Sequence, residues 1–286
     1  MRILITGGNG QLGSEFKNLA KNYSEFKFFF TDMHDCDLTS KDSVRKYFSE
    51  NSFDCIINCA AYTAVDDAEK EKFKAKKVNV EAVENILFIC KKFKMKLIHI
   101  STDYVFNGKK TTPYTEKDIT NPIGVYGKTK LEGEKKIYKS DIDAVVIRTS
   151  WLYSHYGRNF LKTMIRLSNE KSEISVVNDQ YGCPTYALDL ANACLKIITL
   201  NGKISEKSKL YHYSNEGSAS WYDFAKKIFE LKKIKITLNP VDSSTLNTVA
   251  ERPKYSVFDK HLIQSHFNIK IPKWQNSLKK CLINFQ

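Results

Sequence analysis

Tyr126 and Lys130 stand four residues apart in the segment YGKTK, a spacing that puts both side chains on one face of a helix. A phenol has a reference pKa of about 10, too high to exchange protons readily at neutral pH. An ammonium beside it favours the phenolate and lowers that value, which makes tyrosine a usable general acid. Pairs at this spacing also occur on helix surfaces with no chemistry attached, so the pair needs company. Ser101-Thr102-Asp103 provides it: a hydroxyl twenty-four residues before the tyrosine, at Thr102, can hold a carbonyl oxygen toward the phenol. Gly7, Gly10 and Gly13 in GGNGQLG form a third group. Glycines at these places permit a tight turn, close approach of backbone to a pyrophosphate, and close packing of the next helix.

These groups act together only if the chain brings them to one edge. Arg2–Thr6 reads as a strand, followed by the glycine turn and a helix from about Gln11 to Lys21. A second strand (27–31, KFFFT), a third (54–58) and a fourth (96–101, KLIHIS) follow. A fifth (144–148) comes after helical stretches near 41–50, 81–93 and within 122–138. Strands separated by helices need crossover connections, hence a parallel sheet and a Rossmann-type, doubly wound α/β fold. The glycine turn then lies where a helix N-terminus offers free N–H groups to phosphates. Ser101–Asp103 falls at a strand's carboxyl end, where such sheets bind ligands. Asp32, nineteen residues after Gly13 and at the end of the second strand, can accept hydrogen bonds from ribose hydroxyls and so favours NADH. His34 or a nearby lysine could equally tolerate the 2′-phosphate of NADPH, and the cofactor is NADPH or NADH.

After Ser150 the alternation loosens. Helices are expected at 157–168, 186–200, 221–231 and 274–283, with short strands at 174–177 and 210–213 and a turn-rich stretch from Val241 to the last helix. The expected organisation is a dinucleotide-binding domain over 1–150 plus a returning segment of about 176–213. A smaller α/β substrate-binding domain takes about 151–175 and 214–286.

Composition removes several classes. No run of eighteen apolar residues occurs, which argues against a membrane span, and MRILITGG lacks the layout of a secretory signal. A cytoplasmic, reducing setting is therefore expected for the seven cysteines. Cys55 and Cys59 lie in an apolar run and the six histidines are scattered, so no metal site is read. The net charge of +13 comes from lysines spread along the chain, with few arginines, and reads as a solvated surface and not as a nucleic-acid face. A positive field also attracts anionic small substrates.

With these segments in view the chain resembles the dTDP-4-dehydrorhamnose reductases of the extended short-chain dehydrogenase/reductase superfamily. The resemblance rests on the glycine turn, NCAAYTAVDDAE (58–69), STDYVF (101–106), YGKTK (126–130), VIRTSWLYS (146–154), NDQYGCPT (178–185) and ERP (251–253), and covers essentially the whole chain. It implies reduction of dTDP-4-dehydro-L-rhamnose to dTDP-L-rhamnose, with Tyr126 donating the proton, Lys130 binding the nicotinamide ribose and Thr102 holding the keto group. It further implies that Gly10, Gln11 and Leu12 meet the pyrophosphate, Asp32 the ribose, Asp37 and Leu38 the adenine, and Ala61, Tyr62 and Thr63 the nicotinamide side. Val65, Asp103, Tyr104 and Trp151 would line the sugar site. Arg252, beside Pro253, is read as a candidate diphosphate clamp.

Two departures from the family pattern are visible. Leu188, beside Asp189, stands where some members carry an acidic residue thought to hold a magnesium ion between subunits, so the chain is expected as a monomer or a homodimer without that bridge. Tyr62 stands where relatives can carry histidine. Tyr104, after the Thr-Asp pair, occupies the place of a dehydratase's glutamate and cannot act as a carboxylate base. An epimerase of the same superfamily, and a non-catalytic subunit resembling the regulatory subunit of methionine adenosyltransferase, remain the alternatives.

Overall fold

The computed structural model describes residues 1–200, 209–283 and 285. The chain opens with β1 (Arg2–Thr6), α1 (Gln11–Leu19), β2 (Lys27–Thr31), α2 (Lys41–Glu50) and β3 (Cys55–Asn58). Two short helices, α3 (Val65–Lys70) and α4 (Lys72–Lys76), and a π-helical turn over Lys77–Glu81 lead into α5 (Ala82–Phe93). Then come β4 (Lys96–Thr102), α6 (Val125–Lys139), β5 (Ala144–Thr149), β6 (Leu152–Tyr153), α7 (Phe160–Glu170) and β7 (Glu173–Val177). The remainder holds β8 (Tyr181–Gly182), β9 (Thr185–Tyr186), α8 (Ala187–Leu200), β10 (Lys209–His212) and β11 (Ala219–Ser220). It ends with α9 (Trp221–Lys232), β12 (Thr237–Val241), α10 (His261–Phe267) and α11 (Trp274–Ile283).

Six strands form one sheet in the order β2-β1-β3-β4-β5-β10, every pair parallel. Helices cover both faces, which is why β3 and β5 are buried at every position and open with the apolar runs CII and AVVI. Along β1 the period of two sorts the side chains. Ile3 and Ile5 pack with Leu12, Phe16 and residues of α8, whereas Leu4 packs with Val44, Phe48 and Ile86 on the other face. Each such side chain, fully buried, stabilises the fold by about 1.5–3 kcal/mol. The winding runs from β1 outward to β2 in one direction and through β3, β4 and β5 in the other. The reversal opens a crevice at the carboxyl ends of β1 and β3.

The second half contributes to both layers. β10 extends the main sheet beside β5, while β7 pairs in parallel with β12 outside it.

Several elements depart from the sequence reading. The stretch before α5 is helical from Val65, although its run of charged residues buries little beyond Ala68 and Ala75 and shows no apolar stripe. β12 carries Pro240, a residue that demotes a strand in sequence and is tolerated here at the edge of a two-stranded sheet. α10 lies inside the stretch expected to be turns; it is seven residues anchored by Ile263 and Phe267 alone, too short for a periodic signal.

Candidate active site

The glycine turn is built by backbone contact. Gly7 has φ +63°, and a Cβ there would lie 3.0 Å from the backbone of Ala60, just past β3. A Cβ on Gly13 would lie 2.4 Å from the Gly7 carbonyl oxygen, so α1 can seat its first turn on the loop only with glycine at this place. Gly10 donates to the Gly7 carbonyl at 3.0 Å and caps α1 without a side chain, leaving the helix's first N–H groups free of side-chain partners. Asp32 accepts the Asn9 N–H at 3.1 Å and the Met33 N–H at 2.8 Å, which fixes its carboxylate beside the turn. Asp37 accepts the N–H and hydroxyl of Thr39 at 2.9 and 2.7 Å.

A cavity of about 710 Å³ runs along the carboxyl ends of the strands. Asp32, Asp37 and Leu38 line it at the β2 side; Gly7, Gly10, Gln11, Leu12, Gly13, Ala61, Tyr62 and Thr63 line its middle. Val65, Thr102, Asp103, Tyr104, Tyr126, Lys130 and Trp151 line its far side. Thus every residue singled out from the sequence, except Arg252, converges on one chamber. Ser101 Oγ and Thr149 Oγ1, also in its wall, are buried polar atoms with no protein partner, as expected of groups that a ligand satisfies. The glycine cradle, the free helix N-terminus and these unpartnered hydroxyls fit a dinucleotide and a polar substrate side by side.

The helix α6 that presents Tyr126 and Lys130 is fixed along its length. Its first N–H, of Val125, donates to Glu69 Oε1 at 2.7 Å. The amide of Asn79, in the π-helical turn, accepts the Tyr62 N–H, donates to the Tyr62 carbonyl and donates to Thr129 Oγ1. Farther along, Glu134 accepts two hydrogen bonds from Arg148 of β5 at 2.9 and 2.7 Å, both side chains being buried. Removing one partner of such a pair costs about 3–5 kcal/mol.

The phenol does not behave as the spacing alone suggests. Burial raises the Tyr126 pKa to about 12, with a hydrogen bond to Thr102 opposing it only in part. The expected lowering by Lys130 is therefore corrected. The amine is turned to the Ile100 carbonyl at 2.7 Å and to His99 Nε2 at 3.3 Å, and burial dominates at the phenol. Burial also lowers the Lys130 pKa to about 8 and raises that of Asp103 to about 6. Thr102 donates to Asp103 Oδ1 at 3.1 Å and accepts the Tyr104 N–H at 3.2 Å, and the Tyr104 ring meets Tyr126 edge-on at 5.4 Å.

On the sugar side, Trp151 follows β5 with φ +48°, and its ring lies flat on Trp221 with centroids 3.5 Å apart and planes 5° apart. Gly182 allows this, since a Cβ there would sit 2.5 Å from the Trp151 ring. Trp221, Arg158 and Asn159 line the cavity and were missed in the sequence. In sequence Trp221 marks only the start of a helix, and α9 does begin there, capped by Ser220 and Asp223.

Arg252, read as a candidate diphosphate clamp, stands outside the residues that line the cavity. It donates to Asp66 Oδ2 at 2.6 Å and Oδ1 at 3.2 Å, and holds the Asp66 carboxyl below the usual range. A carboxylate at the start of α3 meets the guanidinium's fork before any ligand does. Leu188 is buried, and its neighbour Asp189 accepts from Asn215 and Ser277 within the subunit.

Residues 1–286 match a family profile described as the RmlD substrate binding domain. The dTDP-4-dehydrorhamnose reductase of Aggregatibacter actinomycetemcomitans is 38% identical, the match covering 97% of each chain. Among solved structures, the dTDP-4-dehydrorhamnose reductase of Clostridium acetobutylicum superposes with a TM-score of 0.94 at 39% identity over 100% of both chains. That of Bacillus anthracis, in complex with NADP, gives 0.92 at 40% over 99% of both. Profile, sequence and architecture agree along the full length, and the chain belongs to the dTDP-4-dehydrorhamnose reductase family of oxidoreductases.

Proposed function

We propose that this chain reduces the C4 keto group of dTDP-4-dehydro-L-rhamnose to the alcohol of dTDP-L-rhamnose, using NADPH or NADH, and so supplies rhamnose for polysaccharide synthesis. The observation that carries the reading is that two hydroxyl-bearing side chains, Thr102 and Tyr126, line the same chamber as the glycine cradle and Lys130. The bound nicotinamide supplies the hydride.

The chain's own residues do the rest. Thr102 and Tyr126 hold the keto oxygen between two donors, as a general acid requires. The raised pKa keeps the phenol protonated at neutral pH, so Tyr126 releases its proton only as charge develops on the oxygen. Lys130 serves the nicotinamide ribose, and Ala61, Tyr62 and Thr63 its ring side. Gly10, Gln11 and Leu12 take the pyrophosphate in the turn that Gly7 and Gly13 permit, Asp32 the adenosine ribose, and Asp37 and Leu38 the adenine. Val65, Asp103, Tyr104 and Trp151 shape the sugar end, with Trp151 held in place by its stack on Trp221.

The dinucleotide-binding domain takes 1–150 with the returning segment of about 176–213, and the substrate-binding domain about 151–175 and 214–286, the sugar lying where the two meet. Among the described residues no helix is long and apolar enough to cross a membrane. We assign the enzyme to the cytoplasm, as a monomer or homodimer.

The test is consumption of NADPH or NADH with enzymatically generated dTDP-4-dehydro-L-rhamnose, comparing wild type with Tyr126→Phe. The variant should bind cofactor and lose about 10²–10⁴-fold in kcat. Wild type that binds cofactor tightly but turns over neither would overturn the assignment and favour an epimerase or a regulatory subunit.

A further inference from the structure

Three buried polar residues lie side by side on β1, β3 and β4 in register. Thr6 of β1 pairs with Asn58 of β3, and Asn58 with His99 of β4. Their side chains are joined in the same order: the Thr6 hydroxyl donates to Asn58 Oδ1 at 2.7 Å, and the Asn58 amide lies 3.0 Å from His99 Nδ1. The row ends on α6, where His99 Nε2 lies 3.3 Å from Lys130 Nζ. All four residues are buried, His99 to 1% exposure. Thr6, Asn58 and Lys130 face the cavity while His99 stands behind its wall. A polar row inside an apolar layer is costly unless every member is satisfied, and this one satisfies its members in series up to the one cation it meets.

We propose that His99 is a positioning residue for Lys130: its neutral ring, held by Asn58 and Thr6, keeps the amine at the carboxyl end of β4 and exchanges tautomers as the amine gains or loses its proton. The proposal rests on the reductase reading of the cavity. Burial keeps the imidazole neutral, so the ring has one N–H and one lone pair. In the observed orientation Asn58 Nδ2–H donates to Nδ1 while its Oδ1 takes the Thr6 hydroxyl, so Nε2–H donates to a neutral lysine nitrogen. An ammonium has no lone pair, so Nε2 must then accept from it, and the Asn58 amide turns over so that its Oδ1 accepts from Nδ1–H. The ring keeps one proton in both states, and the proton that lysine loses goes to solvent. The other groups facing Lys130 are the Ile100 carbonyl on β4, the Cys59 thiol beyond β3, and Glu134 on α6, which Arg148 of β5 already binds. His99 is thus the neighbour whose polarity can follow the amine.

Two measurements on the full chain decide this. With ¹⁵N-labelled histidine, NMR across neutral and alkaline pH should show His99 neutral throughout. Its ring-nitrogen shifts should exchange at the Lys130 midpoint in wild type and stay fixed in Lys130→Met. Shifts that ignore pH in wild type would overturn the coupling. In the reductase assay, His99→Phe should lower kcat about ten- to hundredfold, raise KM for NADPH and displace the alkaline limb of the pH profile, as loss of a hydrogen bond to a charged group implies. His99→Gln, which restores a polar atom, should recover most of both. Folding of each variant is checked by thermal unfolding, and His99→Gln with the NMR arm decides if His99→Phe does not fold. Wild-type kcat and an unmoved alkaline limb in His99→Gln and in a folded His99→Phe would overturn the positioning role. Failure of wild type to turn over would instead overturn the reductase reading, leaving the NMR result to judge His99.

Discussion

The two ends of the cavity are made in opposite ways. At the β2 side the wall is backbone: a turn within the first thirteen residues, a helix N-terminus and strand ends whose conformations are set by residues adjacent in sequence. At the sugar side the wall is side chains brought together from separate segments, Trp151 against Trp221 and Tyr104 against Tyr126. A backbone site is rigid and intolerant of any added atom. A side-chain site tolerates trimming and exchanges specificity by substitution, which suits a fold that keeps one cofactor and changes substrates.

The sharpest way to break this contrast is Gly13→Ala. Its Cβ would meet the Gly7 carbonyl oxygen at 2.4 Å and Gly8 Cα at 2.6 Å, backbone atoms that cannot give way locally. Calorimetry should show cofactor affinity reduced on the order of a hundredfold, with nucleotide-sugar affinity little changed; equal loss at both would mean that the ends are not separable. Trp221→Ala should do the reverse, raising KM for the sugar substrate about ten- to thirtyfold while the cofactor dissociation constant holds. Lys130 gives the contrast a pH axis. Its pKa of about 8 means that the ammonium is present below that value and lost above it. The free enzyme's kcat/KM for cofactor should therefore fall roughly tenfold for each unit well above about pH 8, and a flat alkaline profile would remove the charge from its role. The smallest effect is expected from Arg252→Gln. The pair is 23% and 43% exposed at its two side chains, and an exposed pair is worth about 0.2–1 kcal/mol. A change of only a few-fold in KM for the sugar nucleotide, without any in kcat, would fit a loop tie; a large loss of sugar-nucleotide binding would restore the clamp.

The same contrast explains what could be read in advance. GGNGQLG, Asp32 and the STD triplet carry their geometry locally, so the sheet, the turn and the convergence of Thr102 and Tyr126 on one cavity are legible from residue order. Trp221 is not, because its partner lies seventy residues earlier and no local pattern marks an indole that faces a cavity. The Tyr126 pKa departs from its spacing for a related reason: the spacing puts Lys130 on the same helix face, but the Ile100 carbonyl and His99, supplied by another strand, decide where its amine points. Helix α3 is masked by its charged residues, and with it Glu69, whose carboxylate accepts the first N–H of α6.

The sheet order also bears on how the molecule is made. β5 is buried at all six positions, yet its outer neighbour, β10, begins only at Lys209, about sixty residues after β5 ends at Thr149. During synthesis at about 5–20 residues per second, the apolar edge of β5 therefore waits for several seconds without the strand that closes it. An edge of this kind templates pairing with other chains. The nascent enzyme thus passes through an interval in which its most complete part is also its most adhesive, and crowding of ribosomes on one message would sharpen the hazard.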